Sequence, residues 1–236
     1  MSNFGVIEQA QNDYKNFVKN SGADPNNQAV ENYIETVTDL LTELAKHNQG
    51  RDKMCTPKFH EYFHSCYSNS QLDSTLTLID TPQEQKKVQL VAKGLRLCSY
   101  LIHVRYPDSD RYRVVLNEYD IFNEAYRTFM LSGKSDEGIL QVESFIVMSM
   151  YVSSREIGPK TDLKMKDSAQ DTVYYGLLNS IEHGMEFFYF VYTLLKPEDG
   201  KKYVQPYITY DAKMAAMRVF KNLIAKNGYQ IQASSG

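Results

Sequence analysis

Apolar residues recur at spacings of three and four along most of this sequence, and this spacing is the feature that most limits its fold. Between Val30 and Leu44 the apolar positions form one stripe of a helix, and acidic residues lie outside it. No alternation of apolar and polar residues persists long enough to build a sheet, and the best strand-like exception is 204–210. The pattern predicts an all-α fold, a multi-helix bundle of about seven to eight helices with short loops.

Proline, glycine and capping residues indicate where the helices begin and end. Thr81-Pro82-Gln83-Glu84 combines an N-cap, a first-position proline and a capping-box glutamate. Gly133 is a predicted helix end, and Ser135 is the predicted N-cap of the next helix. The predicted helices cover about 4–19, 28–47, a short stretch after Pro57, 81–105, 110–131, 135–157, 169–195 and 211–228. We divide the chain into an N-terminal helix and linker (1–27), a helical core domain (28–196) and a C-terminal loop and helix (197–236).

Charge and cysteine content limit the class of protein. The net charge is −3, whereas proteins that bind nucleic acid carry strongly basic domains, so no nucleic-acid partner is predicted. Cys55, Cys66 and Cys98 are a small, odd set of thiols, which indicates an intracellular, reducing compartment instead of a disulfide framework. No apolar run reaches about 18 residues, so a conventional membrane span is not predicted.

One catalytic motif is present in part, because His60-Glu61-Tyr62-Phe63-His64 matches H-E-x-x-H. On a helix this spacing places two imidazoles on one face to bind zinc, and the glutamate acts as general base. However, Pro57 lies so close upstream that the helix has barely begun at His60. No third ligand follows a recognised pattern, and no edge strand is predicted. These residues favour a helix with histidines at its edge, and a zinc-dependent hydrolase is kept as an alternative.

The same segment offers a structural zinc site, because Cys55 and Cys66 flank His60 and His64. Cys66 lies on another helical face from His64, and the spacing matches no standard zinc finger. Whether these residues bind a metal is left open. No catalytic residue, metal ligand or cofactor is assigned, and the chain lacks the serine-hydrolase, P-loop and dinucleotide-binding motifs.

The predicted helix 84–105 is basic and amphipathic. Its apolar side includes Val88, Val91, Leu95 and Ile102. Its cationic side includes Lys86, Lys93 and Arg96. A wide apolar sector opposite lysine and arginine suits the interface of an anionic membrane. The same pattern is typical of a core helix whose solvent face is basic, and the pattern alone favours this second interpretation.

Small residues recur at four-residue spacing in the predicted helix 169–195, at Gly176, Ser180 and Gly184. This spacing lets another helix approach closely. Glu182 and Glu186 make the helix too polar for a simple lipid-facing span. The pattern fits a central helix of the bundle and a contact between subunits equally well.

Several short motifs follow one another between about 36 and 195. They are Gln49-Gly50-Arg51-Asp52-Lys53, Lys93-Gly94-Leu95-Arg96-Leu97, the pair Asp120 and Arg127, and Tyr174-Tyr175-Gly176-Leu177-Leu178. In this order they resemble the peroxin-eleven family, the membrane-elongation proteins of peroxisomes and related organelles. The resemblance implies a non-enzymatic, self-associating protein that remodels membrane through its amphipathic helix. Pro57, the polar late helix and the continuation beyond 195 depart from the family pattern, which allows a relative that serves as a structural subunit of a larger organelle assembly.

The sequence therefore predicts a non-catalytic helical protein that acts by binding. Its partners are anionic lipid and protein, as a membrane-associated subunit of a homo- or hetero-oligomer, at a peroxisomal or mitochondrial membrane by resemblance. The predicted membrane-binding residues are Lys86, Val88, Val91, Lys93, Leu95, Arg96 and Ile102. The predicted helix-packing residues are Gly176, Ser180 and Gly184, and the family motif is Gly50, Arg51, Asp52 and Lys53. The alternatives are the zinc hydrolase and a soluble scaffold subunit of a larger complex.

Overall fold

The computed structural model describes residues 28–54, 82–103, 105–107, 109–118, 121–153 and 181–221. In this part of the chain every regular element is helical, which confirms the predicted all-α fold. The α-helices are α1 (Gln28–Ala45), α2 (Asn48–Met54), α3 (Pro82–Leu101), α4 (Ser109–Glu118), α5 (Ile121–Lys134), α6 (Gly138–Ser153), α7 (Ile181–Leu195) and α8 (210–221). Two short 3-10 turns, Pro197–Asp199 and Gln205–Tyr207, lie between α7 and α8.

The chain divides into two compact units, 1–121 and 122–236. The predicted core domain, 28–196, extends across this division, and 197–221 belongs to the second unit. The predicted N-terminal helix and the predicted short helix after Pro57 lie outside the described residues.

In the first unit α1 packs along α3, and the short helix α2 packs against the end of α1. The contact is apolar because each helix turns one stripe inward. From α1 this stripe contributes Val37, Leu41 and Ala45. More buried apolar residues of this unit come from α3, among them Val88, Leu95, Leu97 and Leu101. The core of this unit therefore uses the apolar side of α3.

The second unit is built around α6. Every residue from 141 to 150 is buried, as expected for a helix that is surrounded by other elements. Phe145 of α6 lies 6.2 Å from Phe129 of α5, 5.5 Å from Phe187 and 5.2 Å from Phe190 of α7, measured between ring centroids. All four rings are buried. This aromatic cluster joins α5, α6 and α7 by tilted and edge-on packing.

The turn between α5 and α6 differs from the prediction. Gly133 does not end the helix, which continues to Lys134. Asp136 takes the left-handed conformation with φ of 57°, and the N–H of Glu137 donates to the carbonyl of Ser132 at 2.9 Å, as in a Schellman motif. Ser135 is not an N-cap, because its hydroxyl donates back to the Leu131 carbonyl at 3.1 Å and α6 begins at Gly138.

Two further helix predictions need correction. The segment 110–131 was predicted as one helix but forms α4 and α5 as separate elements. No helix is predicted for residues 48–54, which form α2. The continuous periodicity did not indicate that α4 and α5 are separate elements, and Gly50 among charged residues gave no helical signal for α2.

Candidate functional site

The apolar side of α3 lies inside the first unit. Val88, Val91, Leu95 and Ile102 are 4%, 8%, 8% and 0% exposed. These side chains lie on the side of α3 opposite Lys86 and Lys93, and all four are buried within the protein. Insertion of these side chains into lipid would require them to leave the protein core. The burial agrees with the second interpretation of the same pattern, a core helix with a basic outer side.

Lys86 and Lys93, two of the predicted membrane-binding residues on α3, have partners on α1. The Nζ of Lys93 lies 2.9 Å from Glu35 Oε1 and 2.7 Å from Asp39 Oδ2. Lys86 donates to the side-chain oxygen of Asn32 and lies 3.9 Å from Glu35 Oε2. Partial burial lowers the pKa of Lys93, but the hydrogen bonds to Asp39 and Glu35 outweigh it and raise the pKa above its ordinary value. The predicted lipid-facing lysines therefore neutralise an acidic stripe of the same chain.

A groove of about 380 Å³ follows this contact between α1 and α3. Its charged lining consists of Asp39, Glu43, Lys46, Lys93 and Arg96. Lys46 and Lys93 bond the two carboxylates directly, at 2.5 Å to Glu43 and 2.7 Å to Asp39. The groove is thus lined by ion pairs, and Arg96 is exposed at its edge.

The family motif lies on α2 and begins with a glycine that the packing requires. An added Cβ on Gly50 would lie 2.0 Å from the Leu44 carbonyl oxygen. Even alanine would therefore push α2 away from the end of α1. Only glycine allows the two backbones to come this close.

Arg51, the next residue of the motif, is fully buried. Its guanidinium donates to the Ala45 carbonyl at 3.1 Å and to the side chain of Asn48. The guanidinium carbon lies 3.2 Å from the ring centroid of Tyr106, a stacked cation–π contact. Arg51 thus caps the carboxyl end of α1, where a cation is favoured by the exposed carbonyls.

The remaining motif residues lie towards the surface. Asp52 accepts a hydrogen bond from the Tyr112 hydroxyl at 3.2 Å, and Lys53 is exposed. Tyr106 also donates to the Lys46 carbonyl at 3.3 Å. We call Gly50, Arg51, Asp52 and Tyr106 the α2 clamp, because together they fasten α2 to α1, to α4 and to the turn 105–107.

The histidines, cysteines and glutamate of the predicted zinc site have no described position. His60, Glu61, His64, Cys55 and Cys66 lie outside the described residues. Within the residues that the structure does describe, no cluster of histidine, cysteine, aspartate or glutamate could hold a metal ion.

The small-residue ridge is only partly placed. Gly176 and Ser180 lie outside the described residues, and Gly184 lies in α7. The packing of this ridge therefore stays a prediction.

The structure reveals an exposed apolar face on α7 that the sequence did not assign. Phe188, Tyr189, Tyr192 and Leu195 are 44%, 45%, 41% and 37% exposed. Their spacing places them on one side of the helix. The rings of Tyr189 and Tyr192 stack with centroids 6.4 Å apart, and the Tyr192 hydroxyl donates to Asp199 Oδ2 at 3.1 Å. The hydrogen bond to Asp199 raises the pKa of the Tyr192 hydroxyl, so the face carries a neutral, oriented tyrosine.

Small and large apolar residues lie on opposite sides of α8. Its buried side consists of Ala212, Ala215, Ala216 and Val219. Its outer side carries Tyr210, Met214, Met217 and Phe220, which are 76%, 37%, 52% and 48% exposed. Both sets recur at helical spacing, so the sequence contained two apolar stripes but no signal to say which one is buried. The smaller side chains are inside because they allow the helix to lie close to its unit.

Comparison with known proteins adds no relative, because no family model, curated protein or solved structure matches the chain. Among the described residues, no helix is both long and apolar enough to cross a membrane.

Proposed function

We propose that this chain is a non-catalytic helical interaction protein, a membrane-associated subunit of an oligomeric assembly that binds through the second unit. The observation that carries the proposal is the distribution of exposed apolar side chains. In the described part of the chain, every exposed large apolar residue except Leu40 lies in the second unit, chiefly on α7 and α8. Single exposed apolar residues are ordinary, but contiguous helical stripes of them mark contact surfaces.

The two exposed stripes are suited to binding in different ways. The α7 face combines two tyrosines, a phenylalanine and a leucine, and its tyrosine pair is held by stacking and by Asp199. Ordered aromatic side chains with a polar edge are enriched at protein–protein interfaces, since little side-chain entropy is lost on binding. We therefore assign the contact between subunits to the α7 face.

The first unit offers no comparable surface in its described helices. The apolar side of α3 is buried, and Lys86 and Lys93 are paired with acids of α1. In the proposed function the first unit has a structural role, because the α2 clamp and the α1–α3 ion pairs stabilise its fold. The motif from Gly50 to Lys53 then has a role in folding and not in catalysis.

The organelle is proposed from the resemblance to the peroxin-eleven family, which implies a peroxisomal or related membrane. Fractionation of cells that express the tagged chain tests this proposal. We expect the chain in the membrane pellet, released by alkaline carbonate as a peripheral protein, and as an oligomer larger than one chain in sedimentation velocity. A chain that stays in the supernatant and sediments as a monomer at all concentrations would overturn it.

A double variant tests the assignment of the subunit contact to the α7 face. Phe188→Gln combined with Leu195→Gln removes two side chains from the outer face of α7 without touching the core, and we expect it to dissociate the oligomer. Leu40→Gln is the control, because Leu40 is similarly exposed, at 42%, on the first unit. An oligomer unchanged by the first variant would contradict the assignment.

A second candidate is a scaffold subunit without lipid contact, and the burial of the apolar side of α3 favours it. It predicts the same oligomer and the same response of α7, but no membrane pellet. The fractionation above therefore separates the two candidates.

A further inference from the structure

The outer side of α8 combines exposed apolar residues with cations. Lys213 and Lys221 are exposed and lie at helical spacing from Met214 and Met217. With about 1.5 Å of rise per residue, the two lysines are about 12 Å apart along the helix. Asp211 is the acidic residue of α8, and it lies in the first turn, where the helix dipole favours a negative charge. Along the described residues of α8, the outer side is therefore apolar between two lysines.

Arg218 adds a further positive charge on the flank of α8. It is half-buried, and its Nε and one terminal nitrogen have no hydrogen-bond partner within the described residues. Burial lowers the pKa of its guanidinium, and the nearby Asp211 opposes the fall. An anionic surface close to α8 would lower the cost of keeping this charge.

We infer that α8 docks on the surface of a membrane that contains anionic phospholipid. Met214, Met217 and Phe220 enter the boundary between headgroups and acyl chains, and Lys213 and Lys221 lie against the phosphates. The inference rests on the proposed membrane association and moves the lipid contact from α3 to α8.

The geometry of α8 fits this occupant. The described residues of α8, 210–221, extend about 18 Å, and their exposed apolar side chains between lysines suit a helix lying in the interface. The small residues beneath seat the helix on its unit, so the large side chains project outward. Projecting apolar groups flanked by lysine suit a deformable lipid surface, in which lysine can extend its charge to the headgroups.

The charge of the surface is the property that decides between a membrane and an acidic protein partner. The full-length chain is to be mixed with vesicles of pure phosphatidylcholine, or with vesicles that also contain phosphatidylserine, and separated by flotation. We expect binding to the anionic vesicles. The variant Lys213→Gln with Lys221→Gln should bind them about 25-fold more weakly, because each lysine near an anionic surface contributes about a factor of five. Lys134→Gln with Lys202→Gln removes two exposed lysines elsewhere in the second unit and should bind as the wild type does.

The apolar contribution is tested separately. Met214→Gln with Met217→Gln should weaken binding to anionic vesicles by at least about tenfold, since two partly exposed side chains no longer enter the interface. Leu40→Gln removes a similarly exposed apolar residue, 42% exposed, from the first unit and should leave vesicle binding unchanged. Both variants change exposed positions, and circular dichroism checks that each folds.

The outcomes separate the inference from the proposed function. Vesicle binding that is insensitive to the α8 variants, or equally sensitive to the control variants, would overturn the inference alone. The same holds for a wild-type chain that binds no vesicle yet sediments with cell membranes, because a protein partner would then hold it there. A chain that binds neither vesicles nor cell membranes would overturn both.

Discussion

Replacement of Arg51 by methionine is the sharpest test of the α2 clamp. The two hydrogen bonds from its guanidinium, to the Ala45 carbonyl and to Asn48, are each worth about 1.5–3 kcal/mol because the donor is charged. Stacking on Tyr106 adds about 1–2 kcal/mol. The cost of burying the charge, several kcal/mol, offsets much of this sum. Methionine removes that cost but leaves the carboxyl end of α1 uncapped, and we expect a net loss of about 2–3 kcal/mol.

Hydrogen exchange measured by mass spectrometry can localise this loss. A destabilisation of about 2–3 kcal/mol lowers the protection of amides in α1 and α2 by about 30- to 150-fold where they exchange by opening of the unit. Lys53→Met is the control, because it also removes a cation from α2 but at an exposed position, and it should change protection by less than about threefold. Protection of α1 and α2 that is equal in the Arg51 variant and the wild type would refute the account of the clamp.

Three other results are expected. Gly50→Ala should destabilise the first unit by about 1–3 kcal/mol in urea unfolding, because its Cβ would lie 2.0 Å from the Leu44 carbonyl oxygen, and a variant as stable as the wild type would refute the close contact. Lys93→Gln should cost about 0.5–1 kcal/mol, reduced by added salt. Since the pKa of Lys93 is raised on folding, this contribution should be constant below about pH 10 and vanish as the pH rises through the folded pKa. Burial raises the pKa of the Cys98 thiol. In a variant with Cys55 and Cys66 changed to serine, Cys98 should therefore react with iodoacetamide only after unfolding. Rapid labelling of the native chain would contradict its burial.

The periodicity of the sequence was sufficient for the fold class but not for several helix ends. The start of α3 at Pro82 was predicted because threonine, proline and glutamate stand at capping positions. The end of α5 was not predicted correctly, because Asp136 adopts a left-handed conformation, which is usually expected of glycine. Gly133 stays inside α5, where the side chain of Gln141 occupies the space beside it. The surroundings of Gly133 thus depend on a contact between α5 and α6, and no local sequence pattern indicates such a contact.

The candidate sites were harder to predict because an amphipathic pattern does not indicate whether its apolar side contacts lipid or protein. The apolar side of α3 is buried within the protein, so the four residues expected at a membrane lie in a protein core. For α8 two apolar stripes were present, and only tertiary packing selected the alanines as the buried one. The motif around Arg51 was found in the sequence as a resemblance, but its role as a clamp depends on Tyr106 and Tyr112, more than fifty positions away.

The burial of residues 141–150 of α6 has a consequence for how the chain is made. While the ribosome has released α6 but not yet α7, Phe145 lacks the rings of Phe187 and Phe190 that cover it in the finished unit. The nascent chain then carries an apolar helix with an incomplete cover, the kind of intermediate that chaperones bind. For the same reason, fragments of the second unit that end before residue 195 should aggregate, and any shortened version for biophysical work needs to retain α7.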